Sequence, residues 1–390
     1  MDCKEIFNKL YGKDSEFEAF CPYRVCPVGA HIDHQLGKIT GFAIDKGIRM
    51  AYTPRKDSEI DLASMNFEGR RSFNVNAVPK SSLHDWADHL RGATVALAKT
   101  HTLSVGLNGV LEGSLPVGGL SSSAAVIICF LKALCHVNGI TLPPHEMILT
   151  AQKAENEYVG VSCGKLDQSC EVLCRKGQLL YLDTRDDSFE LLPKPENMRP
   201  FRIAVFFSGL ERSLVGQKYN MRVDEVKSAA YALLAYAGAD YGKFGETFMR
   251  DVPEEFFTRY GDRLPETWRR RALHYFGEMR RVAEAVAAWQ KGDIAQFGRI
   301  SFESGQSSIE FWETGSEELK AMYEIMRETD GIYGGRFSGA GFKGCCMALI
   351  DPDYEESICK NVTEKYLRRF PSLADKYRCC VCDTADGAII

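Results

Sequence analysis

The sequence predicts an α+β protein of two domains, and three observations carry that expectation. Its 390 residues exceed one typical domain. Strand-like and helix-like stretches interleave without a strict strand–helix–strand repeat, which argues against a purely parallel sheet. "PKPENMRP", residues 193–200, is polar and proline-rich and is the best linker in the chain, so the division falls between 1–195 and 196–390.

Residues 39–76 alternate β-like runs with turns, in "GIRMAYTP", "SEIDLAS" and "RSFNVNA". "WADHLRGATVALAK", 86–99, reads as a helix. The segment 104–137 runs from a strand through a glycine-rich turn into a long apolar helix starting near Ser122. A second helix covers 143–159, with Pro143 and Pro144 near its first turn. "QLLYLD", 178–183, is a strand. After the linker come a strand, "FRIAVFFS", helices at about 220–238 and 267–290, and a third near 316–328. That last helix leads into "GGRFSGAGFKGCCMALI", and the chain closes with "YRCCVCDTADGAII".

The composition is that of a globular protein, 45% hydrophobic with a formal charge of −5 and no long block of one sign. It argues against nucleic acid or an anionic membrane as the main partner. No apolar run reaches the roughly 18 residues a membrane helix needs. The charged start, "MDCKEIFNKLYGKDSEF", lacks the apolar core of a secretory signal. A cytoplasmic location is expected, with the 14 cysteines as buried free thiols. Cys379, Cys380 and Cys382 lack a matching second pair at zinc-site spacing.

Four stretches carry chemistry. In "PVGGLSSSAA", Pro116 to Ala125, glycines admit a ligand close to the backbone and serines open a helix, so the turn suits phosphate. It is not a Walker A loop, and a serine-capped turn is the plain alternative. In "AENEYVGVSCGKLDQS", Glu155 and Asp167 lie twelve residues apart across two glycines, as a metal ligand and a general base could, while Glu157 reads as a surface charge. "CPYRVCPVGAHIDH" groups Arg24, His31, Asp33 and His34 around a turn that could hold a polyol, a phosphate or a metal. "GAGFKG", 339–344, fits a dinucleotide fingerprint but precedes the β-like "CCMALI" and not a helix, so it reads as a loop closing over a ligand.

Together these stretches resemble the GHMP small-molecule kinases, and most of all their galactokinase branch. The family's Arg…Gly-Glu-His-x-Asp motif reads here Arg24…Gly29-Ala30-His31-Ile32-Asp33. Its phosphate loop is matched by Pro116 to Ala124 with one glycine fewer. Its Ala-Glu-His…Cys-Gly-Ile-Met-Asp-Gln segment is matched by Ala154-Glu155-Asn156 and by Cys163-Gly164-Lys165-Leu166-Asp167-Gln168. "KYNMR", 218–222, resembles its tyrosine-bearing sugar contact, and 334–345 its C-terminal glycine-rich motif. Gly-Ala-His-Ile-Asp-His-Gln, with Ala30, resembles the galacturonokinases within the branch. Lys165, where an apolar residue is expected, and the short phosphate loop are departures.

The resemblance implies an N-terminal domain like ribosomal protein S5 domain 2 and a C-terminal domain derived from a ferredoxin-like fold. It implies a monomeric sugar 1-kinase using ATP and Mg²⁺. ATP would lie on Pro116, Gly118, Gly119, Leu120, Ser121, Ser122, Ser123 and Ala124, with Trp86 in the adenine pocket. Glu155 and a loop serine, Ser123 or Ser122, would hold Mg²⁺. Asp167 would take or orient the proton of the anomeric hydroxyl, and Arg24 would stabilise charge on the transferred phosphoryl group. His31, Asp33, His34, Gly164 and Tyr219 would surround the sugar.

Galactokinases carry Glu where this chain has Ala30, and that Glu reaches the sugar's C6 hydroxyl. A uronic acid has a carboxylate there, and a Glu opposite it would repel it by several kcal/mol. Ala30 therefore points to a uronic acid, galacturonate, although it supplies no attraction. His34, Arg222, Lys343 and Lys165 are the groups considered for that. A galactokinase with an altered C6 pocket, and a non-catalytic sugar sensor, are the other readings. The intact Arg24, Glu155 and Asp167 speak against the sensor.

Overall fold

The computed structural model describes residues 1–210 and 215–388. Helix α1 (Cys3–Tyr11) is started by Asp2, whose carboxylate accepts from the Lys4 and Glu5 N–H groups. There follow β1 (Phe17–Val25), β2 (Lys38–Pro54), β3 (Glu59–Ser64), β4 (Arg71–Asn74), α2 (Asp88–Ala98), β5 (Leu107–Gly113), α3 (Ser122–Val137), α4 (Pro144–Lys153) and α5 (Leu166–Leu173). Next are β6 (Gln178–Asp183), β7 (Phe189–Pro193), β8 (Arg202–Phe207), α6 (Val215–Ala237), α7 (Glu254–Tyr260), α8 (Glu266–Gln290) and α9 (Ile294–Glu310). The chain continues through α10 (Glu317–Arg327), β9 (Ile332–Phe337), β10 (Cys345–Ile350), α11 (Glu355–Arg369), β11 (Arg378–Cys382) and β12 (Thr384–Ala385). The mixture of helices and largely antiparallel sheets is the α+β class the sequence predicts.

The first sheet is organised by β2. The sequence suggests a short strand at 47–54, yet β2 runs for 17 residues. It can do so because each stretch of it finds a partner: β6 beside Lys38–Gly41, β1 along Phe42–Tyr52, and β5 beyond Ile48. Thr384 and Ala385 of β12 pair with Ile44 and Ala43, so the end of the chain joins the first sheet. Pro22 cannot donate to a ladder, and the β1–β2 register shifts between Pro22 and Tyr23. Arg24 lies two residues beyond that irregularity, opposite Ala43.

The second sheet has the order β11-β8-β10-β9. Its strands alternate between two cores with period two. Ile203, Val205, Met347 and Leu349 join the core that also holds α3 and Trp289, while Ala204, Phe206, Cys346 and Ala348 pack with α10 and α11. On β11, Cys379 lies 3.1 Å from Cys359 of α11, while Cys380 lies 3.8 Å from Cys382. The cysteines are free thiols.

Two differences from the expected elements matter for function. The helix expected over 143–159 is α-helical only to Lys153; Ala154–Val159 form a π-helical turn. Helix α9 is absent from the sequence reading because it is rich in serine and glycine, weak helix formers. Gly298 shows the reason for that composition: a Cβ there would fall 2.1 Å from the Tyr333 carbonyl oxygen, so the small residue lets α9 lie against β9. Among the described residues no helix is long and apolar enough to cross a membrane.

Candidate active site

A cavity of about 400 Å³ gathers most of the residues singled out by sequence. Arg24, Ala30, His31, Asp33, Gly118, Gly119, Ser121, Ser123, Glu155, Gly164, Asp167 and Tyr219 all line it. Pro116, Leu120, Ser122, Ala124, His34 and Trp86 do not. Leu120 and Ala124 are buried in the core below the phosphate loop, and Trp86 packs against that core. His89, three residues beyond Trp86, is in the cavity wall instead.

The charged part of the wall centres on Asp167. Arg24 donates from Nε to Asp167 Oδ1 at 2.7 Å, and its Nη2 lies 2.7 Å from the same oxygen. Its Nη1 donates to the Gly119 carbonyl at 3.2 Å and to Ser338 Oγ at 3.4 Å. Burial alone would lower the Arg24 pKa, but the charge and hydrogen bond of Asp167 raise it. The guanidinium is thus a fixed cation joining β1, the phosphate loop and the end of β9.

The phosphate loop takes its shape from three residues with positive φ: Gly118 (136°), Gly119 (85°) and, after Leu120, Ser121 (55°). Glycine is required at 119 for a second reason, since a Cβ there would lie 2.5 Å from Cys345 Sγ. A Cβ on Gly339 would lie 3.0 Å from the Gly119 carbonyl oxygen and one on Gly344 2.8 Å from the Gly118 carbonyl carbon, so the loop 339–344 packs directly on the phosphate loop. Ser121 precedes α3 but its side chain makes no cap bond; it donates to Asp167 Oδ2. The plain capping role does not hold for this serine.

Glu155 sits in the π-helical turn, buried, while Glu157 two residues on is half-exposed and pairs with Lys99. Gln168 Nε2 donates to Glu155 Oε2 at 2.6 Å. Burial, and then the charge of Asp167, push the Glu155 carboxyl up to about 7, against hydrogen bonds from Ser123, Cys163 and Gln168. A buried carboxylate and a hydroxyl that already meet are hard oxygen donors suited to Mg²⁺. Of the loop serines, Ser123 is the one in this position.

The opening turn forms the remaining wall. Asp33 accepts from the Leu166 N–H at 3.0 Å, and a Cβ on Gly164 would lie 2.2 Å from Asp33 Oδ2. Burial raises the Asp33 pKa to about 6. Ala30 is 7% exposed and its carbonyl meets His274 Nε2 of α8 at 3.1 Å. The Gly29 N–H donates to Glu278 of the same helix at 2.8 Å. Sequence reasoning missed His274 and Glu278, whose i,i+4 spacing on one helix face was the available signal. His31 has φ 64° and lines the cavity, and its Nε2 has no partner among the described residues. Burial holds the His31 pKa well below its ordinary value and that of His34 at about 3, so both are neutral. His34 Nδ1 lies 3.3 Å from Gln35 Nε2, beneath the ring of Tyr219 at 5.9 Å.

Of the cations considered for a C6 carboxylate, Lys165 pairs with Asp187, and Arg222 reaches Glu225 at 3.2 Å and Glu313 at 3.8 Å. Lys343 lines the cavity.

The description "GHMP kinases N terminal domain" matches residues 88–175, and "GHMP kinases C terminal" matches residues 283–368. Galacturonokinase of Arabidopsis thaliana is 37% identical, covering 99% of this chain and 96% of its own. The chain is a GHMP kinase. Galactokinase of Roseiflexus sp. (strain RS-1) is 31% identical to this GHMP kinase over 99% of the chain and 96% of the relative. The crystal structure of Lactococcus lactis galactokinase complexed with galactose superimposes with a TM-score of 0.89 at 26% identity, covering 98% and 97% of the two chains. This GHMP kinase is accordingly a sugar 1-kinase, and its co-substrate is ATP.

Proposed function

We propose that this GHMP kinase phosphorylates the anomeric hydroxyl of D-galacturonate to give galacturonate 1-phosphate. The observation that carries this reading is Ala30 in the cavity wall, beside neutral histidines and with no acidic side chain of its own. A carboxylate at C6 then meets no like charge at that position. The galacturonokinase relative supports the same substrate.

The roles assigned to the site residues in this reading are supported by their contacts. Asp167 receives or orients the proton of the anomeric hydroxyl as it attacks the γ-phosphate. Arg24 and Ser121 hold its two oxygens, so the carboxylate is aimed before substrate arrives. Arg24, anchored also on Gly119 and Ser338, stabilises charge on the transferred phosphoryl group. Gly118, Gly119 and the start of α3 accept the phosphates. Ser123 and Glu155 would hold Mg²⁺, which supplies charge neutralisation between the phosphates. Asp33, fixed by the Leu166 N–H against Gly164, binds ring hydroxyls, with His31 and Tyr219 completing the wall.

A galactokinase is the second reading, favoured by the galactokinase relatives and by the structural likeness to the galactose complex. Turnover measured on galacturonate, glucuronate, galactose and glucose separates the two. A higher kcat/KM for galacturonate than for galactose is expected, and the reverse order would refute the uronate reading.

A further inference from the structure

Trp312 lies outside every motif discussed above, two residues past the end of α9, and is 1% exposed. Its indole is the common neighbour of three histidines. The His31 ring stacks on it at 5.4 Å and 11°, His34 lies at 5.5 Å and 33°, and His274 at 5.5 Å and 37°. The Arg271 guanidinium carbon lies 5.9 Å from the same indole. Arg271 is itself immobilised, donating to Glu225 at 2.6 Å and also to the Phe311 carbonyl and Glu313.

This arrangement answers a question the cavity wall raises. His31 faces the cavity from a left-handed backbone conformation, φ 64°, that a non-glycine residue adopts only when its surroundings impose it. Its Nε2 has no partner among the described residues, so no hydrogen bond at that atom orients the ring. The near-parallel contact with Trp312 is the shortest of the His31 ring contacts, ahead of His274 at 6.1 Å and Tyr219 at 6.3 Å, and aromatic pairs of this kind are energetically specific. His34 and His274 reach the indole from the same turn and from α8, so Trp312 also ties the Ala30 turn to the helix that holds the Ala30 carbonyl.

We propose that Trp312 is a positioning residue for sugar recognition: by stacking on His31 it fixes the imidazole in the cavity wall next to Ala30. The proposal rests on the assignment of this wall to the sugar, and it names the part of the protein that keeps the wall in shape. A supporting group that holds a contact residue within a few tenths of an ångström acts on substrate binding without touching substrate.

The test uses the full chain and the sugar that the unmodified protein phosphorylates fastest. A preference for galactose would overturn the uronate reading and leave this test intact. Trp312→Leu removes the stack; Trp312→Phe keeps an aromatic face without the indole N–H. Expected for Trp312→Leu is a rise of about tenfold in KM for the sugar, with KM for ATP and kcat changed less than about threefold. Trp312→Phe should restore the sugar KM to within about threefold. In a His31→Ala background, Trp312→Leu should produce no further rise, because the residue through which it acts is gone. If Trp312→Leu fails to accumulate as folded protein, Trp312→Met fills the space without a ring and replaces it. Equal rises in both KM values, a phenylalanine variant as impaired as leucine, or a full effect in the His31→Ala background would each overturn the proposal.

Discussion

Two regions of one cavity are built in opposite ways. Around Asp167, charges answer one another: Arg24 and Ser121 take the two carboxylate oxygens, and Gln168 and Ser123 reach Glu155. Around Ala30, the groups facing the cavity are neutral apart from Asp33, and the charges of Glu278 and Arg271 lie behind the wall on α8. The histidines are held uncharged by burial, Trp312 and Tyr219 are aromatic, and His31 Nε2 is unpartnered among the described residues. The first region is preorganised for charge that develops in transfer. The second is shaped by stacking and by a missing side chain. The contrast implies that turnover and sugar preference are separable properties of this kinase.

The sharpest way to break that contrast is Asp167→Asn. It keeps the shape of the side chain and removes the carboxylate proposed to handle the proton. We expect kcat to fall by about 10³-fold while KM for ATP stays within a few-fold, read by coupled detection of ADP. A variant that retained a tenth of the activity would remove Asp167 from the chemistry. The same change leaves Arg24 buried without its counter-charge, so a lower melting temperature should accompany it.

Ala30→Glu tests the second region by adding a carboxylate to its wall at the Ala30 position. A carboxylate facing the C6 carboxylate should cost several kcal/mol of repulsion, so kcat/KM for galacturonate relative to galactose should fall by about 10²-fold. The measurement is the ratio for the two sugars within one preparation, which cancels partial unfolding. An unchanged ratio would mean that C6 lies elsewhere.

A smaller effect is expected of Gly164→Ala, where the two regions meet. The added methyl would lie 2.2 Å from Asp33 Oδ2, so the carboxylate must leave its place at the Leu166 N–H. Displacement of about 1 Å should raise the sugar KM by about 30-fold and spare the ATP KM. Equal changes in both would place Asp33 outside sugar binding.

The same contrast explains what was legible in the sequence. Arg24, Glu155, Asp167 and the serine loop are ionisable or hydroxyl groups at short, ordered spacings, so the amino-acid pattern itself announces them. The fold class was legible because β10 and α3 are continuous apolar runs and β6 carries strand-like residues bounded by turns. The support of the Ala30 turn was not. His274, Glu278 and Trp312 come from more than 240 residues further along the chain, and only tertiary packing brings them to it. The inward turn of Glu155 depends on a π-helical geometry that periodicity does not encode. Trp86, which the resemblance alone put in the adenine pocket, packs against the core and lies outside the cavity wall.

The mildest prediction concerns pH, and it separates binding from unfolding. The Asp33 pKa is raised to about 6, so below that pH the free enzyme carries a protonated Asp33 with less capacity to accept from sugar hydroxyls. At saturating ATP and Mg²⁺, which would keep Glu155 ionised, kcat/KM for the sugar should fall about tenfold per unit below about pH 6, because this parameter reports groups of the enzyme before the sugar binds. Stability should respond far less. His34 and His274 titrate near 3 and 4 in the folded chain against an ordinary 6.5, so the unfolded chain binds their protons first and stability is lost as pH falls below 6.5. Asp33 and Glu155, raised to about 6 and about 7, act in the opposite sense: between their ordinary values and these, the folded chain binds the protons first and stability is gained as pH falls. The two sets oppose each other between about pH 4.5 and 6, so the melting temperature should change by only a few degrees while kcat/KM drops. A parallel collapse of melting temperature and kcat/KM would assign the acid limb to unfolding and remove Asp33 as its cause.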